Sequence, residues 1–167
     1  MWGNSNRSNA MLPRGPWNCD HCRKTVEMKD AWVEYRTGKD GQSYGLQIAH
    51  HVTVGEHRGD RCSYDSRGGG GTIASFPLSD VLGHDGLVEL LKMQKYDNLP
   101  ADEVSLMIRR LHTPGYEQAR SFFETAVREK IILPPSTPGF FNQEDIQAVW
   151  RHYRIQNLNT PRQGQTP

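Results

Sequence analysis

What is scarce in these 167 residues narrows the possibilities before any motif does. No apolar run approaches the ~20 residues that span a bilayer. The opening stretch MWGNSNRSNAML lacks the continuous apolar core of a secretion signal. Together these absences argue against membrane association and for a reduced, cytoplasmic setting. Charge of one sign is lacking too: 20 basic and 19 acidic side chains leave a net charge of +1. Proteins that live on nucleic acid usually carry a basic face, so a DNA-binding reading has to rest on a local patch. Apolar residues make up only 35% of the chain, and the mean hydropathy is -0.73. So thin an apolar supply implies much loop and tail, and it favours a metal cross-link to offset chain entropy. Cysteine is limited to three residues, an odd number that cannot close into disulfides without a remainder.

The residues that are present divide the chain into segments. Residues 1–16 are rich in Asn, Ser, Arg and Gly and read as a flexible arm. Residues 17–66 read as a small zinc-binding β-hairpin module. In it AWVEYR (31–36) and YGLQIAHHV (44–52) alternate like strands around a turn holding Gly38, Asp40 and Gly41. Four consecutive glycines, Gly68 to Gly71, mark residues 67–75 as a linker. Residues 76–156 carry apolar residues at helical spacing and read as a compact helical domain of about four short helices. Asp85 is placed as a helix cap, Pro100 opens a second helix, and Thr113 and Pro114 open a third. Asn142 with Asp145 makes a capping-box-like start for the last, with Phe141 and Ile146 as its staple. Residues 157–167 read as a disordered tail. The expected fold class is α+β.

Cys19 and Cys22 form a C-x-x-C pair, which presents two thiolates on one tight knuckle. Zinc prefers four tetrahedral sulfur or nitrogen ligands, and Cys62 is the only further cysteine. A histidine completes the set. His57 has a familiar spacing to Cys62 but sits in a Gly/Arg-rich loop, and His21 lies inside the knuckle. His50 and His51 end the second strand, and alternation puts His50 in phase with Leu46 and Ile48, making it first choice and His51 the alternative. The implied cofactor is a structural Zn2+. A redox pair would normally open a helix in a βαβ unit, whereas this C-x-x-C precedes a hairpin.

From Trp17 to Cys62 the arrangement resembles zinc-ribbon and treble-clef modules, in which a C-x-x-C knuckle leads into a hairpin and a second ligand pair closes the site. CDHC followed by a strand ending in IAHH also resembles, more distantly, the opening of an HNH nuclease. That resemblance implies a catalytic histidine near His50 or His51, then an asparagine and a metal-binding histidine on a downstream helix. The sequence supplies neither of the latter groups in place.

Other motifs weigh less. RGGGGT (67–72) lacks the Gly-Lys-Ser/Thr end of a P-loop. LVELL (87–91) has LxxLL spacing, which core packing also explains. The helices flanking Thr113-Pro114, within 101–130, form either an αα-hairpin or a helix-turn-helix. A nucleic-acid or partner surface would draw on Arg58, Arg61, Arg67, Arg120, Arg151 and Arg154. No nucleophile elbow and no H-E-x-x-H arrangement occurs. The expected function is that of a non-enzymatic, zinc-stabilised adaptor or regulator that binds another protein. A DNA-binding regulator is the alternative, and an HNH-like nuclease the weaker one.

Overall fold

The computed structural model describes residues 15–51, 62–64, 71–153 and 155, and the fold is α+β. Two short strands, β1 (Trp17–Asn18) and β2 (Thr25–Val26), pair antiparallel and close the C-x-x-C turn between them. A three-stranded antiparallel sheet follows, built from β3 (Ala31–Thr37), β4 (Ser43–His50) and β5 (Thr72–Pro77) in the order β4-β3-β5. Val33, in the central strand, faces Ile48 on one side and Phe76 on the other. A register shift between Glu34 and Arg36 breaks the β3–β4 ladder opposite Gly45. Gly45 has φ +73°, and a Cβ there would strike the Tyr64 hydroxyl, so this bulge needs glycine twice over.

Thr72–Pro77 departs from the sequence expectation. A linker over 67–75 and a helical domain from 76 would leave no strand here, yet residues 72–77 form the third strand of the sheet. Isolated on the sequence, TIASFP is too short and too close to a glycine run to signal a strand. Its order comes from pairing with the open edge of β3. One core then runs across the expected boundary, with Val33 and Ile48 of the sheet packed against Leu78, Leu90, Val104 and Met107.

Leu90 belongs to α1 (Gly83–Tyr96), and Val104 and Met107 to α2 (Ala101–His112). The helix α1 starts two residues ahead of Asp85, with no side-chain cap. Leu90 is fully buried, so LVELL serves packing, although Val88 and Leu91 stay half exposed. Next come α3 (Tyr116–Ala119), a 3-10 turn over Arg120–Phe122, and α4 (Phe123–Arg128). The third helix begins after Gly115, which adopts φ +79°, and not at Pro114. The last helix, α5 (Gln143–Tyr153), starts as its capping box demands. The Asp145 N–H donates to Asn142 Oδ1 at 2.9 Å, and the Asn142 N–H to Asp145 Oδ2 at 3.2 Å. A second core gathers Tyr116, Phe123, Ile146, Val149 and Trp150 from α3, α4 and α5. Among the described residues, no helix is long and apolar enough to cross a membrane.

A shared core makes the sheet and α1 unfold together. Leu90→Ala should cost about 2–5 kcal/mol. Helical circular dichroism and tryptophan fluorescence should report one common denaturation midpoint; two separated midpoints would contradict the shared core.

Candidate metal centre

The cluster is assembled from three places in the chain. Cys19 and Cys22 occupy the turn between β1 and β2. There the Arg23 N–H donates to Cys19 O and the Cys19 N–H to Lys24 O, both at 2.9 Å. Arg23 closes the knuckle in a left-handed conformation, φ 64°. His50 is the last residue of β4. The ligand atoms of Cys19, Cys22, His50 and Cys62 all lie within 4.8 Å of one another, and this group could hold a metal ion. Zinc with S and N donors has tetrahedral edges of about 3.5–3.8 Å, so closing the group around an ion takes a contraction of roughly 1 Å or less.

The histidine is oriented by its far nitrogen. Nε2 of His50 lies 3.3 Å from the Thr25 carbonyl oxygen. A carbonyl can only accept, so Nε2 carries the proton and Nδ1 presents its lone pair. Nδ1 in turn sits 3.6 Å from Cys22 Sγ. Fixing the tautomer through the outer nitrogen is how metal-binding histidines are commonly held.

Cys62 has no regular element to carry it, and its neighbours supply the anchorage. The Ser63 hydroxyl donates to the His50 carbonyl at 3.3 Å, and the Tyr64 N–H to Glu34 Oε2 at 3.0 Å. The Tyr64 hydroxyl donates to Gly45 O at 2.6 Å, and the Arg36 guanidinium lies 4.1 Å over the tyrosine ring. Glu34, itself 3% exposed, also accepts from the Ser75 hydroxyl of β5 at 3.2 Å. The third strand thus helps deliver the third cysteine.

The thiols are crowded. Burial pushes Cys62 up to about 12, helped by hydrogen bonds and charge from Cys19 and Cys22. Burial also works to raise Cys22. There a hydrogen bond from the Lys24 backbone and the neighbouring thiols outweigh it, and the net shift is downward. Three adjacent sulfurs cannot all ionise without a cation among them, which is the condition a metal satisfies.

His51 stands outside the cluster. It is exposed and stacks on Trp32 with ring centroids 4.1 Å apart. His21 is exposed on the knuckle. His57, Arg58, Arg61, Arg67 and Arg154 lie outside the described residues. Arg151 is exposed on α5. Arg120 is not a free surface cation. Its Nε is 3.0 Å from Glu117 Oε2 and its Nη2 is 3.4 Å from Asp20 Oδ1.

Those two carboxylates belong to a buried charge cluster that sequence reading missed. Arg110 of α2 makes paired bonds to Glu117, Nε to Oε2 at 2.8 Å and Nη2 to Oε1 at 3.1 Å. Its Nη1 reaches Asp20 Oδ2 at 2.7 Å, and Nη2 also donates to Asn18 O at 3.2 Å. Burial alone would lower the Arg110 pKa, but Glu117 and Asp20 more than reverse this and hold it above its ordinary value. Asp20 lies inside the C-x-x-C, and its Oδ2 also accepts the Ile48 N–H at 2.7 Å. The knuckle is thereby bonded to β4 and to the helices at once. One signal was available: Arg110 follows Met107 by three residues and so falls on the apolar stripe of α2, where an arginine requires buried partners.

Comparison of the chain with protein-family models, curated proteins and solved structures finds no match. Fold and donor set therefore supply the classification by themselves: an α+β protein with a Cys3His cluster able to hold a metal ion. The resemblance to zinc modules extends to the knuckle, the hairpin and this cluster. A third strand stands between the β3–β4 hairpin and the first described α-helix.

Removing one member of the buried charge cluster should be costly. Arg110→Ala should destabilise the fold by about 3 kcal/mol, because the buried Glu117 loses its two bonds to Arg110 and keeps only Arg120 and the Asn18 N–H. Denaturant titration of Arg110→Ala, Glu117→Ala and the double variant should show a double-variant loss well below the sum of the singles; strict additivity would refute the coupling.

Proposed function

We propose that this chain is a non-enzymatic adaptor or regulatory protein that binds another protein, with a single structural Zn2+ held by Cys19, Cys22, His50 and Cys62. The observation that carries this reading is the closed donor set. Three thiolates and one imidazole fill a tetrahedral zinc shell, whereas catalytic zinc keeps a position for water or substrate. The acid nearest in sequence, Asp20, already has Oδ2 shared between the Ile48 N–H and Arg110 and Oδ1 facing Arg120. Zinc here serves to hold the knuckle against β4 and so to maintain the surface that the knuckle shares with the helices.

The geometry weighs against the DNA-binding alternative. A recognition helix needs a continuous exposed face, but residues 116–128 are split into α3, a 3-10 turn and α4. Tyr116 and Glu117 are buried, Gln118 donates to Pro16 O at 2.8 Å, and Arg120 is held by carboxylates.

Metal analysis of protein purified without chelator should return about one zinc per chain, and Cys62→Ser should lose most of it. Chelation should lower the melting temperature and loosen residues 17–51 first in hydrogen exchange. Less than half an equivalent of zinc would reject the site. Affinity capture from the native host should yield a protein partner. Duplex DNA should bind more weakly than about 10⁻⁴ M at low salt, and tighter, salt-dependent binding would favour the alternative.

A further inference from the structure

A cavity of about 890 Å3 lies where the knuckle meets the helical half. It falls within the roughly 300–1,000 Å3 of typical ligand sites. Its apolar wall includes Leu106 of α2, Phe123 and Val127 of α4, and Pro134, Pro138 and Phe141 of the segment before α5. Its polar edge is formed by Asn18 and Arg23, the residues immediately flanking Cys19 and Cys22, together with Glu117 and Arg120.

The charges on that edge are unequal in availability. Glu117 Oε1 accepts from Asn18 N and Arg110 Nη2, and Oε2 from the Nε atoms of Arg110 and Arg120, so it has little left to offer or to repel with. Arg120 uses Nε and Nη2, leaving Nη1 unused among the described residues. Arg23 is exposed and has no side-chain partner among them. Glu124, exposed on α4, is the remaining lining carboxylate and stands apart in sequence from the knuckle. Exposed apolar residues also flank the cavity: Leu133 and Phe140, next in sequence to the lining Pro134 and Phe141, are 81% and 51% exposed. A small ligand would leave that flanking surface wet, and an extended chain would cover it.

We propose that this cavity is a recognition site for a short acidic segment of a partner protein. The segment lays a large apolar side chain against the stacked pair Phe123 and Phe141 and against Val127, and a neighbouring carboxylate against Arg23 and Nη1 of Arg120. The carboxylate supplies an acceptor to Arg23 and to the one unused nitrogen of Arg120, and a charge-assisted hydrogen bond is among the stronger contacts a binding edge can make. Glu124, a further lining carboxylate, disfavours a uniformly acidic peptide. This inference rests on the adaptor reading and specifies its docking site.

The test uses a phage-displayed random dodecapeptide library on the full zinc-loaded chain, counter-selected against Ser121→Trp. Ser121 is an exposed lining residue, and the indole would fill the cavity. Retained peptides should carry Asp or Glu within about three residues of a large apolar residue. A synthetic representative should bind at least about tenfold more weakly to Ser121→Trp and to Arg23→Glu, and about tenfold more weakly when its acid is changed to the amide. Arg23→Glu changes an exposed side chain and serves if Ser121→Trp loses zinc or folded circular dichroism. Several outcomes would overturn the proposal: no peptide retained, equal binding to both variants, equal binding of the amide peptide, or a self-association that Ser121→Trp abolishes. A protein partner captured equally well by wild type and Ser121→Trp would remove this site and leave the adaptor reading standing. No partner at all would remove both.

Discussion

A guanidinium with 3% of its side-chain surface exposed must find a partner for each buried donor, and Arg110 does so by drawing together parts of the chain distant in sequence. Glu117 comes from α3, while Asp20 and the Asn18 carbonyl come from the knuckle. Removing Arg110 or Glu117 takes the main partner from a charge that water cannot reach. The position of the knuckle against the helices is therefore specified by the need to satisfy one side chain. Arg120 extends the arrangement to the surface, and Asp20 passes it to β4 through the Ile48 N–H.

The same arrangement links the two larger hydrophobic clusters among the described residues. One cluster joins the sheet to α1 and α2, and the other fills α3 to α5. Between them stands the charge cluster, with Arg110 on the last helix of the first and Glu117 on the first helix of the second. The Cys3His group is fastened at this junction. His50 arrives on β4, Cys62 is anchored through Tyr64 and Glu34, and the knuckle is held by Asp20. The Cys3His group and the neighbouring cavity share their supports, since Asn18 and Arg23 flank the cysteines and also line the cavity.

Features governed by local rules were legible beforehand. The capping box at Asn142 follows from residue types three positions apart, the β3–β4 hairpin from alternation around a glycine-containing turn, and the C-x-x-C knuckle from thiol spacing. The phase of His50 with Ile48 separated it from His51, which the sheet turns outward onto Trp32. Less was legible where neighbours distant in sequence decide. TIASFP becomes a strand because β3 has an open edge, the helix expected from Pro114 begins at Tyr116 and is broken at Arg120, and α1 starts before the residue expected to cap it.

By itself the sequence determined the α+β class, a composition that favours a cross-link, and the members of the Cys3His group, because thiols are few, their spacing is a local property, and strand phase favours His50. Only the tertiary structure decided that Arg110, Glu117 and Asp20 form one buried unit, that Arg120 is spoken for, and that a cavity opens beside the knuckle. The physical reason is that burial of a charge is set by its surroundings. An arginine on an apolar stripe announces that it needs partners, but which carboxylates answer depends on the packing that brings them within reach.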